Sequence, residues 1–188
     1  AEMLARGVRL TTSSGSTAEP IAQTAITALL MLARNFPRWL DGQRRHAWTP
    51  MRPPEVPRDL GGQRMLILGV GRIGNEIARL GRALGLHVSG VRRSPRNETD
   101  HVDELHPPER LPALLPAADW LVIACPLTAH TRGMVDAGLI ARLPPGARLL
   151  NVARGEIVDE RALVAALRSG QLGGAWLDVF EQEPLPPD

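Results

Sequence analysis

Six residues, GVGRIG, leave this chain few folds to choose from. Its glycines are Gly69, Gly71 and Gly74, and it lies between a short apolar run (MLILG, 65–69) and a stretch with helical apolar spacing at Ile73, Ile77, Leu80 and Leu84. A buried strand feeding a glycine-rich turn that opens a helix is the context of a dinucleotide-binding βαβ unit. Gly69 permits the tight turn, Gly71 lets backbone approach a pyrophosphate, and Gly74 lets helix and strand pack closely. The amides of Arg72 and Ile73 would then face the phosphates at the positive end of the helix. Gly85 stands where the helix should be capped.

The same alternation continues to the C-terminus. Strands are expected at HVSGV (87–91), WLVIAC (120–125), ARLLNV (147–152) and GAWLDVF (174–180). Between them, helices are expected around Leu111, Leu114 and Leu115, over 136–143, and after Asp159, a fitting N-cap, with Leu163, Val164 and Leu167 inward and Gly170 at the end. Continuous rather than alternating apolar strands imply a parallel sheet covered on both faces. The fold class is therefore α/β, a Rossmann-type doubly wound parallel sheet. Upstream, Pro20 and the apolar positions Ile21, Ala25, Ile26, Leu29, Leu30 and Ala33 predict a long helix, which Pro37 closes or bends. A short extended segment is expected over 8–12, and an irregular arm rich in Trp, Arg and Pro over 39–57.

Which nucleotide such a fold takes is decided roughly 20 residues after the glycines, where an acidic residue commonly holds the ribose 2′-hydroxyl. Here that place reads VRRSPR, with Arg92, Arg93 and Ser94. Guanidinium groups and a hydroxyl bind a 2′-phosphate, whereas a carboxylate repels it. NADP is therefore preferred over NAD, the other possibility being that both arginines are solvated loop charges.

Composition closes off several alternatives. The chain has 22 Lys+Arg against 20 Asp+Glu, a net charge of only +2, and every one of the 22 is Arg. These arginines are scattered, so nucleic acid is not an expected partner. Without Lys, a P-loop has no residue for its phosphates and Schiff-base chemistry has no amine. Without Tyr as well, the Tyr/Lys pair of short-chain dehydrogenases is ruled out. No apolar run is long enough to span a bilayer, so no membrane role is expected. The lone Cys125 and an opening stretch without an export layout fit a cytoplasmic location. The five histidines are scattered, and no metal site is expected.

Three stretches taken together, GVGRIGNEIARLGRALGLHV, CPLTAHTRGMV and LLNVARGEIVDERALVAALRSGQLGGAWLDVFEQEPLP, closely resemble the D-isomer-specific 2-hydroxyacid dehydrogenase family over 64–186. The earlier GVRLTTSSGSTAEPIAQTA is similar to that family's crossing from substrate domain into the interdomain helix, with Gln23 departing from its usual Ala-Glu pair. The resemblance implies that residues 1–16 are a remnant of the substrate domain. Residues 17–188 would then be the NAD(P)-binding domain with interdomain helix and dimerisation arm.

It also implies roles. Hydride would move between the nicotinamide and C2 of a 2-oxo or D-2-hydroxy acid, glyoxylate and hydroxypyruvate being reasonable substrates. Arg154 would bind the substrate carboxylate and polarise its carbonyl, although it could instead pair with Glu156 or Asp159. Glu183 would orient a catalytic histidine and raise its pKa, or else be a surface carboxylate. Asp178 would take the nicotinamide carboxamide. Cys125 and Pro126 would pass beside the cofactor with Thr131 near its phosphates, and Val152 and Ala153 would border it.

The family's catalytic histidine falls beyond Asp188, and none of His46, His87, His101, His106 or His130 matches its place. The expectation is a piece of the enzyme that binds nucleotide but turns over slowly or not at all alone. A homodimer is expected through the long helix and the Trp-rich arm. Two rivals share the fold: a nucleotide-sensing corepressor that works by binding partners, and an enzyme of other chemistry such as the phosphite-oxidising relatives.

Overall fold

The computed structural model describes residues 6–9, 13, 15–53 and 56–186. Helices α1 (Ala18–Ala33) and α2 (Phe36–Arg44) precede the first strand, β1 (Arg64–Leu68). Then follow α3 (Arg72–Ala83), β2 (His87–Val91), β3 (Glu104–His106), α4 (Leu111–Leu114), β4 (Trp120–Ile123), α5 (Ala137–Ile140), β5 (Ala147–Asn151), α6 (Glu160–Ser169) and β6 (Leu172–Leu177). Short 3-10 turns flank α4 and precede α6. All six strands are parallel, in the order β3-β2-β1-β4-β5-β6. This is the doubly wound order, in which the winding reverses between β1 and β4 and opens a crevice at the carboxyl ends of the strands.

The strands read as unbroken apolar runs because both sheet faces are buried. In β1, Leu66 and Leu68 point to a core with Leu121, Ile123 and Leu149, closed by Leu111, Ile140 and Leu163 from α4, α5 and α6. The alternate residues Met65 and Ile67 point the other way, to Val122 and Leu150 and to helices α1 and α3 through Ala25, Leu29, Ile77 and Ala78. Fully burying one such aliphatic side chain contributes about 1.5–3 kcal/mol. One polar pair sits inside this second layer: the Trp120 indole donates to Gln63 Oε1 at 2.7 Å, and Gln63 Nε2 donates to the Asp59 carbonyl at 2.7 Å.

Several expectations need correction. Pro37 neither closes nor bends the long helix. That helix stops at Ala33, Asn35 adopts a left-handed conformation (φ 54°), and Pro37 lies in the first turn of α2. Proline is tolerated there because its missing N–H would have no helical acceptor. The arm is consequently helical as far as Arg44 and irregular only beyond it. In α6, Leu163 and Ala166 are buried, whereas Val164 and Leu167 are 43% and 37% exposed. Each lies one residue past a core position, a turn of about 100° away from the sheet.

Helix α5 is shorter than expected, although Asp136 caps it by accepting from Leu139 N at 2.7 Å. β6 runs Leu172–Leu177 and releases the chain before Asp178. β3, a three-residue edge strand, was not expected at all. The caps at Gly85 and Gly170 and the N-cap at Asp159 are as expected. The extended segment at 8–12 lies mostly outside the described residues. Among the described residues, no helix is long and apolar enough to cross a membrane.

Candidate functional site

Every predicted site residue downstream of β1 falls at or just past the carboxyl end of a parallel strand. After β1, Gly69 takes φ +96°, and a side chain there would collide with the Cys125 backbone about 2.5 Å away. Gly74 has the Gly69 carbonyl against the position of its missing Cβ, so the turn and helix close on each other. Gly71 differs, because a Cβ there would meet no protein atom within 4 Å. Packing does not require that glycine, and the open space beside it lies at the N-terminus of α3. Gly71 caps that helix without a side-chain bond, and the first backbone bond is Asn75 N to Gly71 O at 2.8 Å. The amides of Arg72, Ile73 and Gly74 therefore point out of the helix toward any anion placed there.

At the end of β4, Ala124 N donates to Leu68 O at 2.8 Å, holding the next residues against the fingerprint turn. Cys125 is half-buried, and burial pushes its thiol pKa up, so it is a neutral, weakly reactive wall. The Thr131 hydroxyl lies within hydrogen-bond distance of Thr128 Oγ1 (3.1 Å), accepts from Thr128 N at 2.8 Å and donates to Pro126 O at 2.8 Å. Its visible partners thus all belong to its own loop. A cleft of ≈ 460 Å³ runs from Gly69 across Cys125 and Pro126 to Arg93 and Ser94, within the volume range of small-ligand sites. The glycine cradle, free helix amides and cleft fit a dinucleotide.

At the end of β2 the three arginines separate. Arg92 was expected to face a 2′-phosphate, but its guanidinium turns inward onto Asp100 and the Val70 carbonyl. Arg96 donates to the carbonyls of Asp103 and Val102 at 3.0 and 2.8 Å. Arg93 and Ser94 are exposed on the cleft, and the Arg93 guanidinium has no partner among the described residues.

The end of β5 carries Arg154. Its guanidinium donates to the Ala153 carbonyl at 2.6 Å and makes no ion pair among the described residues. Both of its expected competitors are occupied: Glu156 lies 3.8 Å from Arg132, and Asp159 accepts from Ala162 N at 3.0 Å. Val152 and Ala153 are buried, with Val152 N bonded to Ile123 O at 3.1 Å. Holding this loop is Asn151, 1% exposed. Its amide donates to Arg154 O at 2.9 Å and accepts from Ala153 N at 3.0 Å, while its carbonyl takes Asp178 N at 3.0 Å.

Asp178 and Glu183 are both exposed, and Glu183 accepts from Phe180 N at 2.8 Å. Gly155 brings the two loops together, since the Phe180–Glu181 backbone occupies the place where its side chain would be. Sequence reading missed both Asn151 and Gly155. The available signal was a polar residue closing the apolar run ARLLN, followed four residues later by glycine.

Histidines His87 and His106 both lie against Glu104, at 3.3 and 3.0 Å, on the β2–β3 edge. His130 sits in the Thr128–Thr131 loop, where its N–H donates to Thr128 Oγ1 at 3.3 Å. No group of three metal-binding side chains occurs among the described residues.

Comparison with known proteins now supplies the family. The model of the D-isomer specific 2-hydroxyacid dehydrogenase, NAD binding domain, matches residues 26–188. An (S)-sulfolactate dehydrogenase of Chromohalobacter salexigens is 36% identical over 182 residues, covering 94% of this chain and 56% of its own length. A glyoxylate reductase of Aeropyrum pernix is 38% identical over 190 residues, covering 97% of this chain and 56% of its own. Among solved structures, the D-isomer specific 2-hydroxyacid dehydrogenase from Xanthobacter autotrophicus Py2, in complex with NADPH and MES, matches with a TM-score of 0.80 and 38% identity. It covers 95% of this chain and 71% of that one. The chain spans about half the length of these curated relatives. On its sheet order, its fingerprint turn and these matches, the chain belongs to the D-isomer specific 2-hydroxyacid dehydrogenase family, whose NAD-binding domain it carries.

Proposed function

We propose that this chain is the cofactor half of an NAD(P)-dependent oxidoreductase that interconverts 2-oxo and D-2-hydroxy acids. The observation that carries this reading is Arg154, a guanidinium without a carboxylate partner at the carboxyl end of β5. The donors left over from the Ala153 carbonyl bond suit a substrate carboxylate and the oxygen on which charge develops. When bound, the nicotinamide cofactor supplies or accepts the hydride. Gly69, Gly71, Gly74 and the amides of Arg72 and Ile73 hold its pyrophosphate. Asp178 holds its carboxamide, and Cys125, Pro126, Thr131, Val152 and Ala153 border it. Glu183 would orient a catalytic histidine.

NADP is the preferred form, with Arg93 and Ser94 at the 2′-phosphate; the Xanthobacter neighbour solved with NADPH supports this direction. Glyoxylate-like acids are the favoured substrates, as in the glyoxylate reductase relative. A homodimer in the cytoplasm is the proposed working form, supported by the exposed arm, where Trp48 is 93% exposed and Trp39 45%. The relatives are dehydrogenases and reductases, and nothing among them favours a corepressor.

The test is reduction of glyoxylate by NADPH in the protein carrying both domains, with Arg154→Lys beside the wild type. Loss of the planar fork should lower kcat/KM by about 100-fold or more. Undiminished turnover in the variant would remove Arg154 from the reaction and the reading with it.

A further inference from the structure

Arg92 has five N–H donors, and all five are used inside the protein. Nε donates to Ser94 O at 3.1 Å. One terminal nitrogen donates to Val70 O at 3.0 Å and to Asp100 Oδ1 at 2.7 Å. The other donates to Pro95 O at 2.5 Å and to Asp100 Oδ2 at 2.6 Å. The Arg92 side chain is 13% exposed and that of Asp100 only 2%. Asp100 also accepts from Asn97 N at 2.8 Å. Its burial opposes ionisation, but the Arg92 hydrogen bond, the Asn97 amide and the charges of Arg92 and Arg96 outweigh it, leaving the carboxyl below its ordinary range.

These partners span two segments that must keep a fixed relation for selectivity to work. Val70 lies inside the fingerprint turn, between Gly69 and Gly71. Ser94 and Pro95 belong to the loop that presents Arg93 and Ser94 to the cleft. One buried guanidinium therefore staples the phosphate turn to the selectivity loop, and Asp100 neutralises it and fixes its orientation.

We propose that Arg92 and Asp100 are positioning residues for nucleotide selectivity. Their buried pair holds the loop so that Arg93 and Ser94 meet the 2′-phosphate, and Arg92 itself does not touch it. This inference rests on the reading that the cleft takes NADP in preference to NAD. The competing role has Asp100 restraining an Arg92 that would otherwise bind the phosphate. Replacing Arg92 weakens NADPH binding under either role. Replacing Asp100 separates them by sign.

The experiment titrates this chain with NADPH and with NADH, following energy transfer from its tryptophans to the reduced nicotinamide. Asp100→Ala should weaken NADPH about three- to tenfold, the effect of releasing one or two ordered side chains, and change NADH less than about twofold. Asp100→Asn keeps the shape and one acceptor oxygen, and it should move NADPH in the same direction by less. It also decides the matter if circular dichroism shows that the alanine variant does not fold. Arg93→Ala should lose NADPH preference while keeping NADH. Unchanged or tighter NADPH binding in a folded Asp100 variant would overturn the positioning role alone. A wild type that binds neither nucleotide, or prefers NADH, would overturn the underlying reading, and the proposal with it.

Discussion

Asn151→Ala measures how much of the site is held by one buried amide. The substitution removes two hydrogen bonds, to Arg154 O at 2.9 Å and from Ala153 N at 3.0 Å, at a residue 1% exposed. Each bond contributes about 0.5–1.5 kcal/mol net, and the Ala153 N–H left buried without an acceptor adds about 1–2 kcal/mol. The loss should total about 2–5 kcal/mol. For a domain of this size that corresponds to a fall of roughly 4–20 °C in Tm.

Asn75 provides a matched control. It makes the same two kinds of bond, donating to Thr99 O at 2.8 Å and accepting from His101 N at 2.7 Å, but it is only half-buried. Water can reach the groups it leaves, so Asn75→Ala should cost about 1 kcal/mol. Urea melts of the two variants, read by circular dichroism with equal m-values, give the difference directly. Equal losses, or a larger one at Asn75, would refute the claim that burial makes the Asn151 bonds the costlier ones to lose.

Other outcomes follow from the same geometry. Gly155→Ala should displace the Phe180–Glu181 backbone, exposing 180–186 to limited proteolysis while leaving the sheet intact. An unchanged cleavage pattern would refute the contact between these loops. Asp100 has a folded pKa below its unfolded value of about 3.9, so its contribution is full above that pH and fades as pH falls through the folded value. The stability gap between wild type and Asp100→Asn should therefore narrow in melts below about pH 4; a constant gap would contradict the ion pair. Ile67→Ala, at a fully buried strand position, should cost about 2–5 kcal/mol, and Val164→Ala, at a surface one, about 0.5 kcal/mol or less. The reverse order would contradict the orientation of α6.

How much of this was readable in advance depended on where the determining partner lay. The fingerprint turn and strands β1, β2, β4 and β5 were legible because glycine spacing and continuous apolar runs are local signals. β3 was not: its sequence Glu-Leu-His carries no apolar run, and its strand character comes from pairing with β2 at the sheet edge. Pro37 was misread because proline ends one helix and starts another by the same chemistry, and only the turn at Asn35 tells the two apart. Val164 and Leu167 are apolar with helical spacing, yet α6 buries Leu163 and Ala166, and Val164 and Leu167 fall on the neighbouring, solvent-facing side. Arg92 was correctly placed at the end of β2, but the direction of its guanidinium is set by Asp100, eight residues away and buried only once the loop has folded. Arg154 and Glu183 were named as candidates from local motifs. The groups that hold them, Asn151 and Gly155, were not, because their value lies in contacts between separate strand ends.

The claim that the crevice at Gly71 holds the dinucleotide pyrophosphate is tested most directly by Gly71→Asp. A side chain there meets no protein atom within 4 Å, and the backbone is extended at φ −91° and ψ −159°. Aspartate is also a favoured N-cap for α3, so the melting temperature should hold or rise slightly. Its charge, set against the diphosphate, should weaken NADPH and NADH alike by about 100-fold or more in the tryptophan energy-transfer titration. A folded variant that binds both nucleotides as tightly as the wild type would place the pyrophosphate somewhere else.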